Sequence, residues 1–150
     1  MPYVETTILI DGPPADVYAI ACDMESYPKY MSDVESVTVL ERAGNRTVTE
    51  WVTSVEGTPI TWTEEDLFDD QTFRITYRLL EGDLDKFDGT WLFDATPAGT
   101  RVTLGVDFDF GIPNLTELIG PTLEVKVKEN SEMMLRSMKE HVETRRRAPA

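Results

Sequence analysis

Residues 102 to 110 alternate without a break. Val102, Leu104, Val106, Phe108 and Phe110 stand on one side, and Thr103, Gly105, Asp107 and Asp109 on the other. A period of two puts the first set on one face of a β-strand and the second on the opposite face. Such a strand has one dry face, and the fold must supply something to cover it. The pattern recurs upstream. Val37 and Val39 alternate with Ser36, Thr38 and Leu40, and Phe73, Ile75, Tyr77 and Leu79 alternate with Arg74, Thr76 and Arg78. Further strands are expected over residues 3–10, 47–55 and 60–68 and around Trp91 and Phe93. Turn signals separate them: Ala43-Gly44-Asn45, Glu56-Gly57, Asp69-Asp70-Gln71, Glu81-Gly82-Asp83 and Pro97-Ala98-Gly99.

Helical signals flank these strands. Asp11-Gly12-Pro13-Pro14 stops the first strand and starts a helix, with proline in the first turn and Asp11 as a candidate cap. That helix is expected over Ala15 to Met24, and a second short one over Ser26 to Met31. After Gly111-Ile112-Pro113-Asn114 closes the last strand, one long helix is expected from about Pro121 to Thr144. Its apolar face collects Leu123, Val127, Met134, Met138 and Val142, in steps of four, seven, four and four. Asn130 falls in the seven-residue gap. Only this helix is long enough to cover the sheet. The expected class is α+β: a curved seven-stranded antiparallel sheet wrapped around a long C-terminal helix, with two small helices after the first strand. A sheet curved around one helix does not close tightly, so an internal cavity is expected.

Length and charge narrow the function. The 150 residues fit one domain spanning 1–150. No run of eighteen apolar residues occurs, so membrane insertion is not expected. The formal charge of −14 disfavours nucleic acid and anionic membranes as partners. Cys22 is the single cysteine, which fits a reducing, cytoplasmic setting. His141, the single histidine, is expected to be an exposed helix-end residue, without partners at metal-ligand spacing. EGDLDKFDG puts Phe87 where a calcium loop needs its third ligand. No phosphate-binding glycine loop follows a strand, so neither metal nor cofactor is expected. Arg145, Arg146 and Arg147 read as a solvated terminus or a docking handle.

The segment TWTEEDLFDD, residues 61 to 70, carries the candidate chemistry. Strand geometry puts Ile60, Trp62, Glu64, Asp66 and Phe68 on the more apolar face, which should line the cavity. Carboxylates two residues apart on a strand sit about 6.5 Å apart at Cα, a spacing that lets Glu64 and Asp66 flank a substrate as acid and base. The alternative is a bulge or rim position from which both reach water. Arg74 and Arg78 should point outward, so a cation inside would be a ligand, a water-bridged site, or Lys29 reaching from the entrance helix. Trp62, Tyr77, Trp91 and Phe93 form either an aromatic wall for a flat ligand or plain core packing. Asn130 either bonds a strand residue or presents its amide to a ligand. Met133, Met134 and Met138 are core filler that would also suit an adaptable pocket. Tyr30 and Phe108 complete the candidate ligand contacts.

Four stretches in this order carry a resemblance: ILIDGPPADVYAIACDMESYPKYM, TWTEEDLFDDQTFRITYRLLEG, FDGTWLF and KENSEMMLRSM. Over residues 3 to 143 the chain resembles the START-like helix-grip (SRPBCC) superfamily, and within it the polyketide cyclase/dehydrase group. The resemblance implies a deep pocket between sheet and C-terminal helix for a hydrophobic, aromatic or polyketide-like molecule, with Tyr27, Pro28, Tyr30 and Met31 near its mouth. It also implies aldol cyclisation and dehydration, or alternatively a non-catalytic carrier of a quinone or lipid. In the group's aromatase/cyclases an arginine lies four residues past the tryptophan. Counting from Trp62, that position is Asp66, so the charge is reversed. An acyl carrier protein, itself acidic, is electrostatically disfavoured as the donor of the ligand. The oligomeric state is not indicated.

Overall fold

Hydrophobic alternation and turn chemistry resolve into one antiparallel sheet. The computed structural model describes residues 3–32, 34–55, 58–83, 85–109 and 113–147; the side chains of 55, 58, 113–124, 126 and 145–147 lie outside the description. The strands are β1 (Tyr3–Ile10), β2 (Val34–Ala43), β3 (Arg46–Val55), β4 (Thr58–Asp69), β5 (Arg74–Gly82), β6 (Lys86–Thr96) and β7 (Gly99–Asp109). Their order in the sheet is β1-β7-β6-β5-β4-β3-β2, a meander whose last strand turns back to pair with the first. After β1 come α1 (Pro14–Cys22) and a short 3-10 helix (Met24–Lys29), and the chain ends in α2 (Pro113–Arg147). This is the helix-grip architecture expected from the sequence.

Boundaries differ where local chemistry decides them. Asp11 does not cap α1: Pro13 holds the cap position, with its carbonyl accepting from Asp16 N and Val17 N at 3.0 and 3.2 Å. The backbone N–H of Asp11 instead donates to Glu143 on α2 at 3.0 Å. The second helix begins at Met24, two residues before the expected Ser26. α2 starts at Pro113, eight residues before the expected Pro121, because a proline's fixed φ suits a first helical turn. Phe73 is not part of β5. It ends the β4–β5 turn at φ 54°, after Asp69 Oδ1 has accepted Gln71 N and Thr72 N at 3.0 and 3.2 Å. A bulky residue held in that region is strained, and Phe73 is kept there by its ring contact with Tyr18 at 5.2 Å.

The buried face of α2 reads Val127, Ser131, Met134, Leu135, Met138 and Val142. Leu123 and Phe110 lie outside the described side chains. Met133 is not core filler; it is 36% exposed, with its sulfur facing the Ser32 hydroxyl at 3.4 Å. The gap between Val127 and Met134 is filled by buried Ser131 rather than by Asn130. One helical step of four from Val127 lands on Ser131, whereas Asn130 is a quarter-turn aside.

A polar clamp ties α2 to β1. Lys139 Nζ donates to the Leu9 carbonyl at 2.9 Å and pairs with Glu143 at 2.6 Å, and Glu143 in turn accepts Asp11 N. Lys139→Met is expected to cost about 1 kcal/mol in urea-induced unfolding, since it removes the hydrogen bond to Leu9 and the partly exposed ion pair with Glu143. An unchanged midpoint would show that the clamp contributes nothing.

Candidate functional site

Register brings four polar side chains of β3 and β4 together on the inner face. Thr47 pairs with Asp66, Thr49 with Glu64 and Trp51 with Trp62. Glu64 is 3% exposed and Asp66 is 0% exposed. A bulge does interrupt the β4–β5 ladder between Thr63 and Glu64, but it does not bring either carboxyl to water. The threonine hydroxyls of Thr47 and Thr49 both donate to Asp66 Oδ2, at 3.0 and 2.7 Å. Thr49 Oγ1 also accepts the Trp51 indole N–H at 2.8 Å, and the Trp62 indole N–H donates to Glu64 Oε1 at 2.8 Å. The two indoles stack, centroids 5.7 Å apart and planes 5° from parallel.

Burial and mutual proximity raise both carboxyls of the pair. Asp66 Oδ1 is buried and receives no N–H or hydroxyl donor. The neighbouring Glu64 carboxyl interacts with Asp66, and a carboxyl can donate to a carboxylate only when it is protonated. Burial pushes Glu64 well above the usual carboxylate range, the neighbouring Asp66 pushes it further, and the Trp62 indole offsets part of this. Asp66 is also raised by burial, with hydrogen bonds from Glu64, Thr49 and Thr47 pulling back. Burial and mutual proximity therefore favour a proton on the pair, with Glu64 the more strongly raised of the two.

The other acids of this segment face outward and have partners. Glu65 is clasped by Arg46 Nε at 2.6 Å and Arg78 Nε at 2.9 Å, which hold it below the usual range. Asp69 caps its turn, and Asp70 accepts the Tyr18 hydroxyl at 2.7 Å. Arg74 and Arg78 point outward, and Lys29 is exposed rather than internal. Among the described residues no lysine or arginine is buried.

Aromatic side chains surround the pair. Trp62 touches Phe87 at 4.8 Å, and Tyr27 lies 5.6 Å from Trp51 and 6.2 Å from Trp91. Trp91 stacks on Phe93 at 6.3 Å, and Phe108 is buried on β7. Tyr77 crosses Gly89 to donate to the Gly105 carbonyl at 2.8 Å. A Cβ on Gly89 would come within 1.9 Å of that carbonyl oxygen, so only glycine admits the crossing. Two expectations need correcting. Asn130 bonds no strand residue among the described residues; its amide faces the Met134 sulfur at 3.8 Å on its own helix. His141 is not an exposed helix-end residue but half-buried, stacked on Tyr30 at 4.0 Å with planes 3° apart. Thr47, Thr49 and Trp51 were missed as site neighbours, whereas Tyr27, expected near the mouth, lies against Trp51 and Trp91. The alternation of Thr47, Thr49 and Trp51 on one face of β3 was the available signal.

No described helix is long and apolar enough to cross a membrane, and no described group of histidine, cysteine and acidic side chains could hold a metal. The side chains of Arg145, Arg146 and Arg147 lie outside the description. Comparison with known proteins agrees with the architecture. The family described as "Polyketide cyclase / dehydrase and lipid transport" matches residues 10–135. No match was found among curated proteins. Among solved structures, the protein TTHA0849 from Thermus thermophilus is similar at 35% identity and TM-score 0.91, over 95% of this chain and 98% of that one. The Zhui aromatase/cyclase from Streptomyces sp. R1128 is similar at 25% identity and TM-score 0.89, over 98% and 96%. A START superfamily protein from Mycobacterium smegmatis shares the fold at 16% identity and TM-score 0.77, over 95% and 97%.

Proposed function

Because the chain belongs to the polyketide cyclase/dehydrase and lipid transport family of the START-like superfamily, we propose that it takes a hydrophobic, aromatic or polyketide-like molecule between sheet and α2 and catalyses its aldol cyclisation and dehydration. The observation that carries this reading is the buried Glu64–Asp66 pair among aromatic rings, both of its carboxyls raised by burial. In this reading Asp66 is the base that removes a proton α to a carbonyl, and Glu64 is the acid that protonates the carbonyl oxygen as the carbon–carbon bond forms. Asp66 then passes the proton it took to Glu64, which restores the pair. In the dehydration Asp66 takes the second α-proton and Glu64 gives its proton to the departing hydroxide, which leaves as water. The same transfer from Asp66 to Glu64 resets the pair. Trp62, Tyr77, Trp91, Phe93 and Phe108 shape the pocket, with Tyr30 and Met134 bordering it. Asn130 is a ligand contact in this reading only through the free face of its amide.

Similarity to the Zhui aromatase/cyclase supports an aromatic product. The arginine expected of such enzymes is absent, Asp66 stands in its place, and no described cation is buried, so the proton pair replaces cationic anchoring of the chain. The charge of −14 favours a free small molecule over one delivered on an acidic carrier protein. Native mass spectrometry of the freshly purified protein, with turnover of linear polyketones followed by absorbance, tests the reading. A retained aromatic or polyketide ligand and formation of a cyclised, dehydrated product are expected. A retained lipid or quinone with no turnover on any polyketone would overturn the catalytic reading in favour of a carrier. The pair's internal hydrogen bonding is the observation that favours that second reading, because a purely structural pair would be satisfied in the same way.

A further inference from the structure

A carboxyl pair buried among aromatic rings can exchange a proton with solvent only along a polar path. A recess of about 20 Å³ lies between the 3-10 helix and strands β2 and β3. Exposed Asp23, Glu25 and Arg42 form its rim, half-buried Val39 forms part of its wall, and buried Thr47 and Thr49 form its floor. These are the two threonines whose hydroxyls donate to Asp66 Oδ2. Of the inner-face rings only Phe68, two residues past Asp66 on β4, lines the recess; Tyr27, Trp51, Trp62, Phe87 and Trp91 lie elsewhere. A water needs about 10–15 Å³ measured this way, together with polar partners, and the recess provides both.

We propose that this recess is the proton port of the Glu64–Asp66 pair, with Thr47 as its relay. Thr49 Oγ1 already accepts the Trp51 indole, so Thr47 Oγ1 has the more open acceptor side among the described residues. An incoming hydronium in the recess gives its proton to Thr47 Oγ1, whose own proton passes to Asp66 Oδ2, leaving water behind. The reverse sequence releases a proton to solvent. Thr47 is a positioning residue in this scheme, since it acts on the pair and not on a ligand. The port works whether the protein is an enzyme or a carrier.

The test uses the whole protein without any ligand. The carboxylic-acid C=O stretch of protonated Glu64, identified by its loss in Glu64→Gln, is followed by infrared spectroscopy after mixing into D₂O. Thr47→Val keeps the shape of the side chain but removes the hydroxyl, and Val39→Phe fills the recess without touching the pair. Both are expected to slow deuteration of that band by about tenfold or more, because exchange must then wait for local opening. Thr49→Val is expected to slow it less. Loss of a merely structural hydrogen bond would shift the band's titration midpoint but leave the rate unchanged. Wild-type deuteration rates in whichever of Thr47→Val and Val39→Phe is folded by circular dichroism would overturn the proposal. So would the absence of any band sensitive to Glu64→Gln.

Discussion

Glu64→Ala is expected to lower the unfolding free energy by about 3 kcal/mol, whereas Glu64→Gln is expected to cost less than about 1 kcal/mol. Alanine removes the acceptor of the Trp62 indole, leaving a buried N–H unsatisfied, and removes the carboxyl that interacts with buried Asp66. Glutamine keeps both: its carbonyl faces the indole and its amide N–H replaces the proton that Glu64 holds toward Asp66. The comparison therefore measures the proton and not the volume of the side chain. Urea unfolding at neutral pH, followed by the fluorescence of stacked Trp51 and Trp62, provides the readout. Equal losses for the two variants would mean that Glu64 makes no protonated contact.

The sign of the pH dependence follows from the same pair. Both carboxyls are raised in the folded protein, so between the unfolded carboxylate range near pH 4 and their folded values the native state binds more protons than the unfolded chain. Stability from these groups is full below that range and declines as pH rises toward the folded values. Each unit of elevation corresponds to about 1.4 kcal/mol. Glutamine at 64 removes the larger share of this slope, so wild type should lose ground to Glu64→Gln steadily from pH 4 upward. Parallel curves from pH 4 to 8 would contradict a shared proton.

Strand periodicity made the inner face of β4 legible, because Trp62, Glu64 and Asp66 obey the same alternation as their apolar neighbours. The partners of the acids were less legible. Thr47 and Thr49 have a β-propensity that would suit almost any strand position, and only the cross-strand register shows that they sit beside Asp66 and Glu64. Asn130 drew attention by its chemistry, although the geometry of the helix from Val127 pointed to Ser131. Phe73 fitted the alternation of β5, yet the Asp69-capped turn claims it, and contact with Tyr18 outweighs the local strain. His141 looked peripheral because stacking on Tyr30 joins residues more than a hundred positions apart, which no local pattern reveals. Local period fixes which face a residue takes. Which polar groups meet there is decided by pairing.

Asp66→Asn is expected to lower kcat for cyclisation by about 10²–10⁴-fold while retaining the fold and the ligand, the range by which a positioned proton-transfer group accelerates a reaction. Asparagine preserves the geometry: its carbonyl accepts the Thr47 and Thr49 hydroxyls, and its amide donates toward Glu64. It lacks the basic oxygen that removes the α-proton. Its loss should therefore appear in kcat more than in KM, since only the transition state needs the base. Glu64→Gln keeps the base but has no proton to transfer, so the step that expels hydroxide should suffer most and the undehydrated cyclic product should accumulate. Ligand retention by native mass spectrometry and far-ultraviolet circular dichroism distinguish a chemical loss from a structural one. An Asp66→Asn protein that turns over at the wild-type rate would remove Asp66 from the chemistry and leave the pair as a structural element of the inner sheet.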